Sequence, residues 1–108
     1  MLERRNSARL PLAVKVRETN GDYLYTWTAA NFGEEGLFLA NKVCITNQEP
    51  YSRLSFTLPG GPEIHNVLAR IVRENRRAPG TGCAYELLNL SEEDRMSLKR
   101  FFLSRVAS

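Results

Sequence analysis

The sequence has few of the residues that metal and nucleophile chemistry needs: one histidine, His65, and two cysteines, Cys44 and Cys83, in 108 residues. One imidazole and no CxxC pair leave no ligand set for a structural zinc. The two cysteines read as reduced, buried thiols on strands, although spacing alone leaves a disulfide open. Motifs for hydrolysis or group transfer are also missing: no GxSxG, no P-loop, no HExxH. His65 precedes an apolar strand and reads as a surface or edge residue. The expectation is a protein that is not an enzyme and carries no cofactor and no metal.

Long apolar runs are absent too. Nothing approaches the roughly 20 residues of a membrane span, so no membrane insertion is expected. The N-terminal MLERRNSAR is basic but lacks the apolar stretch of a signal peptide, which makes a cytoplasmic location the expectation. No internal repeat, low-complexity tract or interdomain linker interrupts the chain. Its length suits a single domain, residues 1–108, with one core.

Charge is present but unevenly spread. Arg4, Arg5, Arg9, Lys15 and Arg17 face Glu3 alone in residues 1–17, a net +4. The whole chain carries +3, so the remainder sums to −1. A basic arm on a near-neutral body suits an anionic partner.

Periodicity then gives the elements. Leu12, Val14 and Val16 alternate with polar residues, a half-buried strand. Thr19-Asn20-Gly21-Asp22 contains the Asn-Gly pair of a hairpin turn, and Tyr23–Thr28 is rich in aromatic and β-branched residues. The stretch Asn31-Phe32-Gly33-Glu34-Glu35-Gly36 is a turn, and GLFLA makes a third strand. Residues 41–52 read as a connecting loop with a short extended piece at Val43–Ile45. Arg53–Leu58 alternates cleanly, Pro59-Gly60-Gly61-Pro62 turns, and Ile64–Val72 is a long strand. The polar stretch Arg73–Gly82 is expected to be a mobile hairpin loop before a sixth strand, Gly82–Leu87. Ser91 with Asp94 three residues on forms a capping pattern for one terminal helix. Leu98, Phe101, Phe102 and Val106 then fall on one apolar stripe, which is expected to face the core. Six short strands and one helix predict an all-β antiparallel barrel, with a basic arm at 1–9, the barrel at 10–90 and the helix at 91–106.

Binding is the chemistry these residues suit. Guanidinium groups grip phosphate oxygens through paired N–H donors and reach the O6/N7 edge of guanine with the same fork. Arg5 and Arg9, four apart beside Arg4, could close over a guanine nucleotide and be ordered by it. The Asn31 carboxamide can meet a guanine edge, and glycine at 33 and 36 permits close backbone approach. Without the arm, the same turn has a purely structural reading.

RRNSAR followed about twenty residues later by NFGEEGLFLA resembles the PilZ domain family, whose signature is an RxxxR arm and a [D/N]xSxxG turn. The resemblance continues through ARIVRE and GTGCAYELLNLSEEDRMSLKRFF, covering roughly residues 4–103. It implies a bacterial, six-stranded PilZ-type β-barrel with a C-terminal helix that binds cyclic di-GMP and signals to a protein partner. Carried over by position, Arg5 and Arg9 match the arginine motif with Arg4 as its basic neighbour. Asn31 and Gly36 match the first and last turn positions. The family serine falls on Gly33, which has no hydroxyl, and losing one hydrogen bond to a charged group costs about 1.5–3 kcal/mol. The expected function is therefore a cyclic di-GMP receptor whose arm is ordered by the ligand. The alternative is a degenerate PilZ-like interaction module that takes no nucleotide, with Tyr23, Tyr25, Trp27 and the helix as contact surfaces. A third reading, a small nucleic-acid-binding barrel, fits poorly with a net charge of only +3, so no DNA or RNA partner is expected.

Overall fold

A computed structural model describes residues 10–43 and 50–107, with the side chains of Leu10, Val106 and Ala107 outside the description. Within these bounds the chain runs β1 (Leu10–Asn20), β2 (Tyr23–Phe32), β3 (Gly36–Ala40), β4 (Tyr51–Thr57), β5 (Glu63–Asn75), β6 (Gly82–Leu87) and α1 (Glu92–Ala107). The strands close into an antiparallel barrel in the order β1-β2-β3-β6-β5-β4. The predicted arm, Cys44 and much of the loop before β4 lie outside the described residues.

Strand alternation supplies the barrel interior. Val14 and Val16 of β1, Leu37 and Leu39 of β3, and Leu54 and Phe56 of β4 all turn inward and are buried. Phe32 of β2 meets Phe56 inside, their ring centroids 5.2 Å apart. The β1–β2 connection is a two-residue turn in which Gly21 holds φ +58°, a conformation that glycine adopts without steric cost. Asn20, expected in this turn, instead ends β1. It is buried, and its Nδ2 donates to Ser52 Oγ at 2.8 Å and to the Tyr51 carbonyl at 3.2 Å.

The helix starts as its cap predicts: the Asp94 backbone N–H donates to Ser91 Oγ at 3.0 Å. Leu98, Phe101 and Phe102 join the barrel core. Phe101 lies so close to Gly61 that any Cβ there would overlap its ring. Arg105 crosses the Phe101 ring at 4.6 Å and donates to the Pro59 carbonyl at 2.6 Å, tying the helix to the β4–β5 turn. No described helix is long and apolar enough to cross a membrane.

Several boundaries differ from the sequence reading, among them the start of β4 at Tyr51, inside the expected loop 41–52. β5 continues through Arg73, Glu74 and Asn75, which pair with Ala84, Cys83 and Gly82 of β6, so the loop is shorter than Arg73–Gly82. Asn75 closes it by accepting from the Arg77 N–H and donating to the Gly80 carbonyl. Likewise β2 runs on through Asn31 and Phe32, because these pair with Phe38 and Leu37. Backbone pairing with a neighbour strand outweighs the polar character that suggested loops in both places.

Candidate functional site

The turn after β2 narrows to Gly33-Glu34-Glu35. The Gly33 N–H donates to the Gly36 carbonyl at 2.8 Å, and the Leu87 N–H reaches the Glu35 carbonyl at 2.8 Å. Gly36 sits opposite Glu86 of β6, and a Cβ at Gly36 would lie 2.6 Å from the Tyr85 carbonyl oxygen. Glycine is therefore required here for the close approach of β3 to β6.

Register places a row of side chains beside this turn. Asn31 pairs with Phe38, Phe38 with Ala84, and Ala84 with Arg73, so the four form one line across β2, β3, β6 and β5. Their strand neighbours Phe32, Leu37 and Tyr85 face the interior, so this row faces outward. Ala84 is the smallest member and makes the row a saddle between the Phe38 ring and the Arg73 guanidinium. The Phe38 ring lies over Gly82, where a Cβ would come within 2.5 Å of it. Asn31, Phe38, Arg73, Glu74, Asn75 and Gly80 line a depression of about 460 Å³. Arg73 makes no ion pair among the described residues, while Glu74 is engaged by Arg76 at 3.4 Å. An amide, an aromatic face and a guanidinium converge on one concave surface, a set able to hold a planar, anionic ligand.

Of the residues expected from sequence, Asn31, Gly33 and Gly36 are brought together by this turn. Arg4, Arg5 and Arg9 lie outside the described residues. Phe38 and Arg73 were missed. Arg73 was assigned to a loop, and Phe38 only to the third strand. The available signal was alternation: in GLFLA, Leu37 and Leu39 take the inside, which forces Phe38 outward.

A second polar cluster, also missed, lies inside the barrel. Glu18 is fully buried, in phase with Val14 and Val16. Its Oε2 accepts from Ser52 Oγ and Tyr85 OH, both at 2.6 Å, and its Oε1 accepts from Trp27 Nε1 at 2.8 Å. Lys42 Nζ, also fully buried, lies 3.3 Å from Oε1 and 4.8 Å over the Trp27 ring. Asn41 at φ +62°, with its N–H on the Thr81 carbonyl, turns the chain so that Lys42 points inward. Burial pushes the Glu18 carboxyl up, yet the donors Ser52, Tyr85 and Trp27 and the Lys42 charge outweigh it and hold it below the ordinary carboxylate value. Burial, then the adjacent carboxylate, pushes the Tyr85 phenol well above its ordinary value. Trp27, expected as an exposed contact, is half-buried and spends its indole N–H on this cluster. His65 is exposed and sits 3.0 Å from Glu63. Cys83 is buried, and its Sγ donates to the Lys42 carbonyl at 3.4 Å. No group of three or more His, Cys, Asp and Glu among the described residues is placed to hold a metal.

Comparison with known proteins agrees with this architecture. The solved structure of the Bacillus subtilis inhibitor of motility MotI/DgrA superposes with a TM-score of 0.74 at 18% identity, over 98% of this chain and 52% of that one. This chain thus spans about half of that protein. The PilZ domain of YcgR from Escherichia coli, solved with c-di-GMP, gives a TM-score of 0.67 at 14% identity, over 97% and 95% of the two chains. The PilZ domain of CeSA from a cellulose-synthesizing bacterium gives 0.60 at 18%, over 90% and 96%. No curated protein matches the sequence. At these identities the structural likeness speaks for the fold, while the PilZ domain family itself matches residues 3–104. The chain belongs to the PilZ domain family.

Proposed function

We propose that this chain is a cyclic di-GMP receptor module that signals through a protein partner. The observation that carries the reading is the row Asn31–Phe38–Ala84–Arg73, a concave amide–aromatic–guanidinium surface set directly beside the glycine turn. The c-di-GMP-bound PilZ domain of YcgR, which shares the fold, supports it. In this mechanism Asn31 meets a guanine edge and the Phe38 ring floors the base. Arg73 supplies positive charge from the β5 side, and the arm at 1–9 brings Arg5 and Arg9 over the phosphates. Gly36 lets β3 close against β6 and so holds the turn beside this row. Ordering the arm costs entropy and changes the surface around β1, which a partner protein then reads. The module acts as a receptor in a bacterial cytoplasm, with no catalytic step of its own.

One observation favours the alternative, a PilZ-type interaction module without nucleotide: Gly33 stands where the family carries serine. Calorimetric titration with cyclic di-GMP, with GTP and cyclic di-AMP as controls, separates the two. The receptor reading expects guanine-specific heat, lost in Arg5→Ala and Arg9→Ala. It also expects binding roughly tenfold to a hundredfold tighter in Gly33→Ser, if the serine hydroxyl restores a charge-assisted hydrogen bond. Absence of heat in both the natural chain and Gly33→Ser favours the interaction module.

A further inference from the structure

A second groove lies on a different part of the barrel and shares no lining residue with the first. It holds about 390 Å³ and is lined by Lys15, Arg17, Thr26, Ser55, Thr57 and His65, with Phe56 and Glu63 completing it. Strand pairing explains why it exists. β4 follows β1 only from Arg53 opposite Thr19 to Phe56 opposite Val16, whereas β1 starts at Leu10. Below Val16 the two strands part, because β4 runs into the Pro59–Pro62 turn.

The groove is cationic. Lys15 and Arg17 both face outward, and neither makes an ion pair among the described residues. The carboxylate on its wall, Glu63, lies 3.0 Å from His65 and is outnumbered by the two cations. Arg17 is flanked by hydroxyls on both sides, Thr26 across β2 and Ser55 across β4. Ser55 Oγ already accepts from the Asn66 N–H at 2.9 Å, which leaves its proton to donate outward.

The geometry points to this groove as the docking site for an acidic, extended segment of a partner protein. Two residues apart on one strand face, Lys15 and Arg17 lie about 6.8 Å apart, the spacing of carboxylates at alternate positions of an extended chain. The hydroxyls would receive or donate hydrogen bonds beside them, and opposite charge would set the register. Single-stranded nucleic acid fits less well, because it wants stacking platforms. The Tyr23, Tyr25 and Trp27 side chains occupy alternate positions of β2 from Thr26, on the other side of the strand. The inference does not depend on the nucleotide reading.

The test is fluorescence anisotropy of the full chain with a short labelled glutamate–serine peptide, without nucleotide. A lysine–serine peptide and single-stranded oligothymidine serve as controls. The acidic peptide is expected to bind, and Lys15→Glu/Arg17→Glu to weaken it by roughly tenfold or more. Arg76→Glu/Arg77→Glu, with the same charge change on the β5–β6 hairpin, is expected to leave it unchanged. Should the double reversal fail to fold by thermal melting, Lys15→Gln/Arg17→Gln takes its place. No binding, equal loss in both doubles, or tighter binding of oligothymidine than of the peptide would overturn the inference.

Discussion

Two polar clusters of this barrel use similar side chains and differ in whether water reaches them. The Glu18 cluster is sealed: carboxylate and ammonium are both fully buried, and the carboxylate has donors on each oxygen. The Asn31–Phe38–Arg73 row is open, and its cation makes no ion pair among the described residues. β6 joins the two, since the Tyr85 backbone carbonyl presses on Gly36 while its phenol reaches Glu18. The difference teaches how to tell polar structure from polar function. A satisfied, buried network fixes strand positions, whereas an open concave surface with an uncompensated charge is available to a ligand.

The largest way to test that contrast is Glu18→Ala. Removing the carboxylate strands the Lys42 charge inside the barrel and is expected to cost about 3–5 kcal/mol in chemical denaturation. Replacing the pair together, Glu18→Leu with Lys42→Met, should recover much of that loss. If Glu18→Ala melts like the natural chain, the cluster is not structural and the comparison fails.

A smaller loss comes from Tyr85→Phe, which removes one hydrogen bond to a charged acceptor, about 1.5–3 kcal/mol. It also carries a pH signature. Glu18 has a lowered folded pKa, so its contribution is present above its unfolded value of 4.5 and is lost as pH falls through the folded one. Tyr85 has a raised folded pKa, so its contribution is present below its unfolded value of 10.0 and declines as pH rises beyond it. Stability should therefore fall off at both ends; Tyr85→Phe should flatten the alkaline limb and, by removing one donor that holds Glu18 low, make the acid limb shallower. Denaturation midpoints across pH would show it.

On the open side, Arg73→Ala should leave stability nearly unchanged and weaken cyclic di-GMP binding by roughly tenfold to a hundredfold in calorimetry. Unchanged affinity would remove Arg73 from the site. The smallest effect is expected from Ser91→Ala, which deletes the helix cap at about 1 kcal/mol without touching either cluster.

Much of this was legible in the chain. Alternation in Leu12–Val16 and Arg53–Leu58, the Pro59–Pro62 turn and the Ser91 cap located the strands and the helix, because each is a local rule. The turn motif made Asn31, Gly33 and Gly36 candidates for the same reason. Glu18 was legible in principle, as a charge in phase with Val14 and Val16, but its four partners come from β2, the segment just after β3, β4 and β6. Arg73 was hidden by its polar neighbours, which masked a strand held by β6.

The sequence by itself determined the order of elements, the family and the concentration of positive charge in residues 1–17, since period, turn chemistry and motif spacing are properties of neighbouring residues. Only the tertiary structure decided which polar groups are sealed and which are open. Barrel closure sets residues from distant strands side by side through register, so that the carboxylate at position 18 is buried among donors while the guanidinium at position 73 stays exposed.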